Sequence, residues 1–183
     1  MNPLFIPGEP IAQPRHKFRI MGKGKAAIPV PYIPKSHPVH VWKQAIALLY
    51  RANGGGPKID EGPIEVSLGF VLHRPDCYTT KRGPNLCAWH DRRPDADNLA
   101  KAALDALKGV AWHDDSQIAR LSVGKVMAAA GAPLGLWITV ARIEVSPATG
   151  SAFTPRFVTP GLFPELEQKK GGAMCAAELG EGE

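Results

Sequence analysis

Glycine and proline interrupt this chain throughout, with 19 glycines and 18 prolines among its 183 residues. That is about a fifth of the positions, against roughly 12% in an average protein. Proline removes a backbone donor and crowds the preceding turn, and glycine carries the largest backbone entropy cost in a helix. A bundle of long helices is therefore excluded, and short elements joined by tight turns are expected. The longest apolar run, residues 127–141, falls short of the roughly 20 residues that a bilayer span needs. It also contains Gly131, Pro133 and Gly135. No membrane span is expected. The opening MNPLFIPGEP lacks the basic segment and apolar run of a secretory signal, which points to a cytoplasmic protein. The three cysteines sit at no framework spacing, so reduced thiols are expected.

The pattern predicts one globular domain over residues 1–145 and a flexible C-terminal tail over residues 146–183, where Gly, Pro, Ala and Glu recur without a sustained period. Residues 15–21 alternate, so a strand there places Arg15, Lys17 and Arg19 on one face. A basic turn through Lys23 and Lys25 and a proline-broken return over residues 27–33 complete a basic hairpin. From Pro38 the run HVWKQAIALLYRA carries Val41, Ala45, Leu48 and Leu49 at helical spacing and stops at residues 54–57. Residues 64–72 read as a mostly apolar strand, followed by a polar irregular stretch to Arg93. A second helix over residues 97–108 puts Leu99, Ala103, Ala106 and Leu107 on one stripe and ends at Gly109. Strands over residues 117–127 and 134–145 follow. The expected class is α+β, a small mixed sheet with two main helices packed on it, in the order β, β-hairpin, α, β, α, β, β. No GxGxxG or GxxxxGK[ST] loop is present, so a glycine-cradled nucleotide phosphate is not expected.

Charge is distributed unevenly. Residues 1–60 hold nine basic side chains against Glu9 and Asp60, residues 61–145 hold ten of each sign, and the tail holds three basic against five acidic. A basic N-terminal stretch is either a solvated face or a surface for a polyanion, of which nucleic acid is the commonest in a cytosol.

The most informative segment runs from Arg92 to Lys101, RRPDADNLAK, followed at a short distance by WHDDSQ. Asp95 and Asp97 are two residues apart in a proline-led extended stretch, where both carboxylates can point to one side and share a metal. Asp97 is equally placed to cap the second helix, with Lys101 and Asp105 following at i+4 steps as a salt-bridge ladder. Asp114 and Asp115 lie one helix and a short connection downstream, where the chain can return to the helix N-terminus. Three or four converging carboxylates, with no Cys or His at ligand spacing among them, suit a hard cation such as Mg²⁺ or Mn²⁺. They would repel without a cation or a basic partner. A carboxylate-held ion beside basic side chains suits phosphodiester hydrolysis, and Lys101 is one turn beyond Asp97, able to donate to the phosphate in the transition state or to pair with Asp97 or Asp105. His113 beside the second acidic pair offers either proton transfer or a structural role.

At these residues the chain resembles the RusA family of Holliday junction resolvases, the crossover junction endodeoxyribonucleases. The likeness is carried by RRPDADNLAKAALDALKG, then WHDDSQ, then a strand containing Val123-Gly-Lys125, and the opening FIPGEP is similar to the family's first strand. It spans about residues 3–145. The resemblance implies a homodimeric, Mg²⁺-dependent endonuclease, with Mn²⁺ as a substitute, that binds four-way branched DNA and nicks it in pairs during recombination and repair. By the same resemblance Asp95, Asp97 and Asp115 match the catalytic acids and Lys101 the functional lysine, with Asp114 as a further ligand. Arg15, Lys17, Arg19, Lys23 and Lys25, with Arg93, would contact DNA phosphates, and junction choice would rest on shape. Members are often carried by phages or prophages. Residues 76–91 look like an enlarged loop, and the tail has no counterpart in a minimal member.

Two other readings compete. His73, Cys77, Cys87 and His90 form H-x3-C-x9-C-x2-H, spacings that a zinc ion could use to order the loop of a non-catalytic DNA-binding module. A flap or fork nuclease would keep the same metal site with a different substrate. Trp42, Trp112 and Trp137 fit core or interface positions, and Trp89 an exposed place in the loop.

Overall fold

Ile64, Val66, Leu68, Phe70 and Leu72 recur at every second residue of strand β4 (Ile64–Leu72), and all are buried. That period puts them on one face of a sheet. The computed structural model describes residues 3–22, 28–74, 88–129 and 131–143. In it β4 lies between β6 (Ile118–Met127), which is parallel to it, and β7 (Gly135–Arg142), which is antiparallel. β1 (Leu4–Pro7) pairs with β7, and the short β5 (Ala88–Trp89) pairs with β6, both antiparallel. The sheet order is β1-β7-β4-β6-β5. β2 (Lys17–Met21) and β3 (Ile28–Tyr32) form a separate antiparallel ribbon. The expected mixed α+β architecture and element order are present. β5 is the addition, inside the stretch read as irregular.

Helices α1 (Val39–Ala52) and α2 (Ala96–Leu107) supply the second layer. Trp42, Ile46 and Tyr50 of α1 and Leu99, Ala103 and Leu107 of α2 join the inward residues of β4 and Leu136, Ile138 and Val140 of β7 in one core. The stripe expected for α2 is buried as predicted, and Gly109 at φ +75° follows its last turn, a conformation that glycine adopts without the Cβ penalty. On α1 the expected stripe is corrected, because Val41 and Leu48 are 69% and 67% exposed. Two apolar stripes compete on this helix, and the one carrying Trp42 and Tyr50 removes more apolar area from water. At the start of β7, a Cβ on Gly135 would overlap the Ile6 carbonyl and the Phe5 ring. The bare backbone lets β1 lie alongside.

The chain passes from β4 to its parallel neighbour β6 through α2, so α2 runs back antiparallel to both strands. Its first turn therefore lies at the C-terminal edge of the parallel pair and its last turn at the N-terminal edge. The tail over residues 146–183 lies outside the described residues. No helix among those described is long and apolar enough to cross a membrane.

Candidate active site

The approach to α2 is set by Pro94, which follows a cis peptide bond from Arg93. A residue ahead of proline is kept out of the helical region, so the helix starts once the chain has cleared it. Asp95 is the N-cap, extended at φ −71° and ψ 142°, and its carbonyl accepts the Leu99 N–H at 3.1 Å. Its carboxylate makes no capping bond. Asp97 lies in the first turn, not at the cap, and the ladder through Lys101 is not formed. Asp105 instead pairs with Lys43 of α1 at 2.7 Å. Among the described residues neither Asp95, Asp97 nor Lys101 forms an ion pair, and all three are exposed. Two oxygen-donor carboxylates at one helix start, with no other partner, fit a hard cation, since Mg²⁺ takes one or two carboxylates and completes its shell with water and substrate phosphate.

A platform behind this turn holds it in place. Lys125 on β6 donates from Nζ to the carbonyl oxygens of Arg92 and, at 2.8 Å, Pro94. His90 N–H donates to the Lys125 carbonyl at 3.1 Å. The His90 side chain is buried, with Nδ1 3.3 Å from the Arg92 nitrogen and 3.1 Å from the Arg92 oxygen. Burial, reinforced by the Lys125 charge, holds this imidazole below its ordinary pKa. A neutral ring can accept the Arg92 N–H at Nδ1.

The second acidic pair is built differently. Asp114 caps the 3-10 turn Asp115–Gln117, accepting the Ser116 N–H at 3.0 Å, while Gln117 Oε1 accepts the N–H groups of His113 and Asp114 at 2.9 and 3.0 Å. Lys108, the C-cap of α2, places Nζ 2.6 Å from Asp114 and 4.0 Å from Asp115. That ammonium and then the Ser116 N–H hold the Asp114 carboxyl well below the usual carboxylate range, and Asp114 in turn raises Lys108. Asp115 accepts a 2.8 Å hydrogen bond from Nε1 of the fully buried Trp112.

The two acidic pairs stand at opposite ends of α2. At about 1.5 Å per residue, the helical span from Asp95 to Lys108 is about 20 Å. The expected return of the chain to the helix N-terminus does not occur, because β6 runs parallel to β4 and must begin at the far edge of the sheet. Among the described residues no three His, Cys, Asp or Glu side chains gather as a metal-binding group. The expected four-carboxylate set is thus split within one chain into Asp95 with Asp97, and Asp114 with Asp115.

Arg15 and Arg93 border an open cavity of about 620 Å³ with Asp95 in its wall. Lys17 and Arg19 are exposed on β2, the Arg19 guanidinium lying 5.7 Å from the centre of the Tyr32 ring. Lys23 and Lys25 lie outside the described residues, as do Cys77 and Cys87 of the zinc pattern. His73 is exposed, whereas the His90 ring faces the Arg92 backbone. Trp42 and Trp112 are core residues, Trp137 lies against Phe5 with ring centres 4.9 Å apart, and Trp89 is exposed. Sequence reading assigned no role to Gln13, Lys108 or Lys125. Only Lys125 carried a signal, within the Val123-Gly-Lys125 strand.

The family described as Endodeoxyribonuclease RusA matches the chain over residues 7–140. That stretch includes the cavity, both acidic pairs and the Lys125 platform. No curated protein gives a significant match.

Proposed function

Since the chain belongs to the RusA endodeoxyribonuclease family, we propose that it is a Mg²⁺-dependent resolvase. It acts as a homodimer, making paired symmetric nicks in four-way DNA junctions in recombination and repair, within a bacterial cytoplasm and from a phage, prophage or host gene. The observation that carries this reading is the start of α2, where Asp95 and Asp97 form no ion pair among the described residues and Asp95 lines a cavity bordered by Arg15 and Arg93.

Asp95 and Asp97 hold the cation, and Mn²⁺ can take its place. When bound there, such an ion would supply a water of lowered pKa and neutralise charge on the phosphate oxygens. The rest of the work falls to the chain's own side chains. Arg15 and Arg93 hold the strand by its phosphates, with Lys17 and Arg19 extending the contact along the ribbon. Lys101, exposed one turn beyond Asp97, donates to the phosphate oxygen that gains charge in the transition state.

Dimerisation gives the second acidic pair a place in the same reaction. Asp114 and Asp115 cannot reach the Asp95 end of their own helix, but a two-fold axis can bring that end of one copy to the start of α2 in the other. Each composite site would then draw on both copies, and Lys108 would neutralise the acidic pair in the separate chain.

The test is cleavage of a synthetic four-way junction in Mg²⁺ and in EDTA, by the wild type and by Asp97→Asn. Paired nicks that need Mg²⁺ and vanish in the variant, with junction binding retained, are expected. Binding by the wild type with no cleavage in Mg²⁺ would overturn the assignment.

A further inference from the structure

Strand β6 has a free edge on the side away from β4. There β5 covers only Val126 and Met127, and the His90 N–H donates to the Lys125 carbonyl at 3.1 Å. At the other end the ladder to β4 passes from Ile118 to Arg120 and skips Ala119. Between these limits, residues 120–124 form a regular stretch with no strand partner on that side among the described residues. Backbone groups alternate sides along a strand, so those of Leu121 and Val123 point the same way as the Lys125 carbonyl, out of the sheet. Such a row of donors and acceptors is a template for another strand. Leu121 is 44% exposed, although its ladder partner Val66 belongs to the core. The stretch carries neither lysine nor proline, and its one charge, Arg120, is paired with Glu65 of β4 at 3.1 Å.

We propose that residues 120–124 pair antiparallel with the same residues of a second copy, joining the two sheets across a two-fold axis at Ser122. The proposal rests on the homodimer of the reading above and names the surface that forms it. A two-fold axis perpendicular to the sheet keeps every side chain on its own face, and facing residues of an antiparallel ladder share a face. The axis therefore passes at a residue, not between two. Ser122 is the middle of the free stretch. Leu121 then packs against the partner's Val123, and Arg120 faces the partner's Gly124, which keeps the two like charges apart.

What stands at the two ends of β6 selects a second copy as the occupant. The strand begins after the turn that holds Asp114 and Asp115. Its far end lies beside His90 and the turn through Arg92 and Pro94, from which Asp95 departs. Antiparallel pairing sets the first end of each copy beside the second end of the other. The acidic turn then meets the partner's Arg93, a cation with no ion pair among the described residues. Asp115 arrives at the partner's start of α2, from which its own chain keeps it about 20 Å away along the helix. One edge contact thus completes both composite sites, because the symmetry repeats each end.

The experiment uses the full chain without DNA, and sedimentation reads its mass. The wild type is expected as a dimer. Leu121→Pro removes only an outward N–H, which an edge strand tolerates, and should give a monomer with wild-type circular dichroism. Ser122→Lys and Ser122→Glu each place like charges at the axis and should weaken the dimer by about tenfold or more, while an equimolar mixture of the two should restore it. Ser122→Cys, with Cys77, Cys87 and Cys175 changed to serine, should form a disulfide-linked dimer in oxidised glutathione. Facing Cα atoms in a ladder, about 4.5–5.5 Å apart, suit that bond. Leu48→Cys, on the exposed side of α1 in the same background, should stay unlinked. A dimer that survives all three of the Pro, Lys and Glu substitutions, or one that links through Leu48→Cys and not Ser122→Cys, overturns the proposal and leaves the nuclease reading intact. A wild type that is monomeric at the concentrations that cleave junctions overturns the proposal together with the homodimer of that reading. If Leu121→Pro does not fold, the charge exchange and the cross-link decide.

Discussion

Lys125 Nζ donates to the Pro94 carbonyl oxygen at 2.8 Å, so the central part of the sheet holds the residue from which Asp95 departs. Its second bond, to the Arg92 carbonyl, fixes the other side of the same turn. Lys125→Met should therefore misplace the Asp95 carboxylate. A shift of about 1 Å at a reacting group costs on the order of 100-fold in rate, and the lost bonds lower stability by about 1–3 kcal/mol. Single-turnover cleavage and thermal melting measure the two effects, with Lys125→Arg expected to recover most of both. A melting loss at unchanged rate would reduce Lys125 to a purely structural role.

Lys101 is exposed and has no ion-pair partner among the described residues, so its removal leaves the fold alone. Lys101→Met is expected to melt with the wild type and to bind junctions in EDTA. Its rate of strand cleavage should drop by about 100- to 1,000-fold, the usual effect of losing one donor to developing charge.

His90 gives the pH dependence of stability. Its folded-state pKa is depressed by burial and by Lys125, so at acid pH the unfolded chain binds a proton that the folded chain resists. Stability should then fall as the pH drops through and below the ordinary imidazole range. Denaturant midpoints measured from neutral to mildly acid pH should decline more steeply in the wild type than in His90→Gln. Parallel curves would remove His90 as the source.

The separation of the acidic pairs by about 20 Å along α2 makes a mixing experiment decisive. Asp97→Asn and Asp115→Asn should each be inactive alone. Mixed under conditions that exchange subunits, they should regain nicking, because one composite site in each heterodimer then holds both native acids. Sites complete within a single chain would stay dead in the mixture.

Much of the fold was legible in local pattern. The alternation of residues 64–72 became a buried strand, the Leu99–Ala103–Ala106–Leu107 stripe became the inner face of α2, and Gly109 ended that helix at positive φ. These features depend on the period of the backbone and on the conformations each residue tolerates, and both are written in neighbouring positions. Asp95 and Asp97 were legible for the same reason, as residues close in sequence at one proline-led helix start. The burial of α1 was not, because its two apolar stripes differ only in what they meet across the core.

The amino-acid order by itself determined most of the elements to within a few residues, though not β5, and set Asp95 and Asp97 together at one helix start. Only the tertiary structure decided that β6 runs parallel to β4, which carries Asp114 and Asp115 to the edge of the sheet opposite Asp95. It likewise chose Lys108 and Trp112 as their partners and set Lys125 under Pro94. Strand direction is settled by pairing between segments about fifty residues apart, where the hydrogen bonds of the ladder and burial of both strands are gained together. No local spacing carries that information.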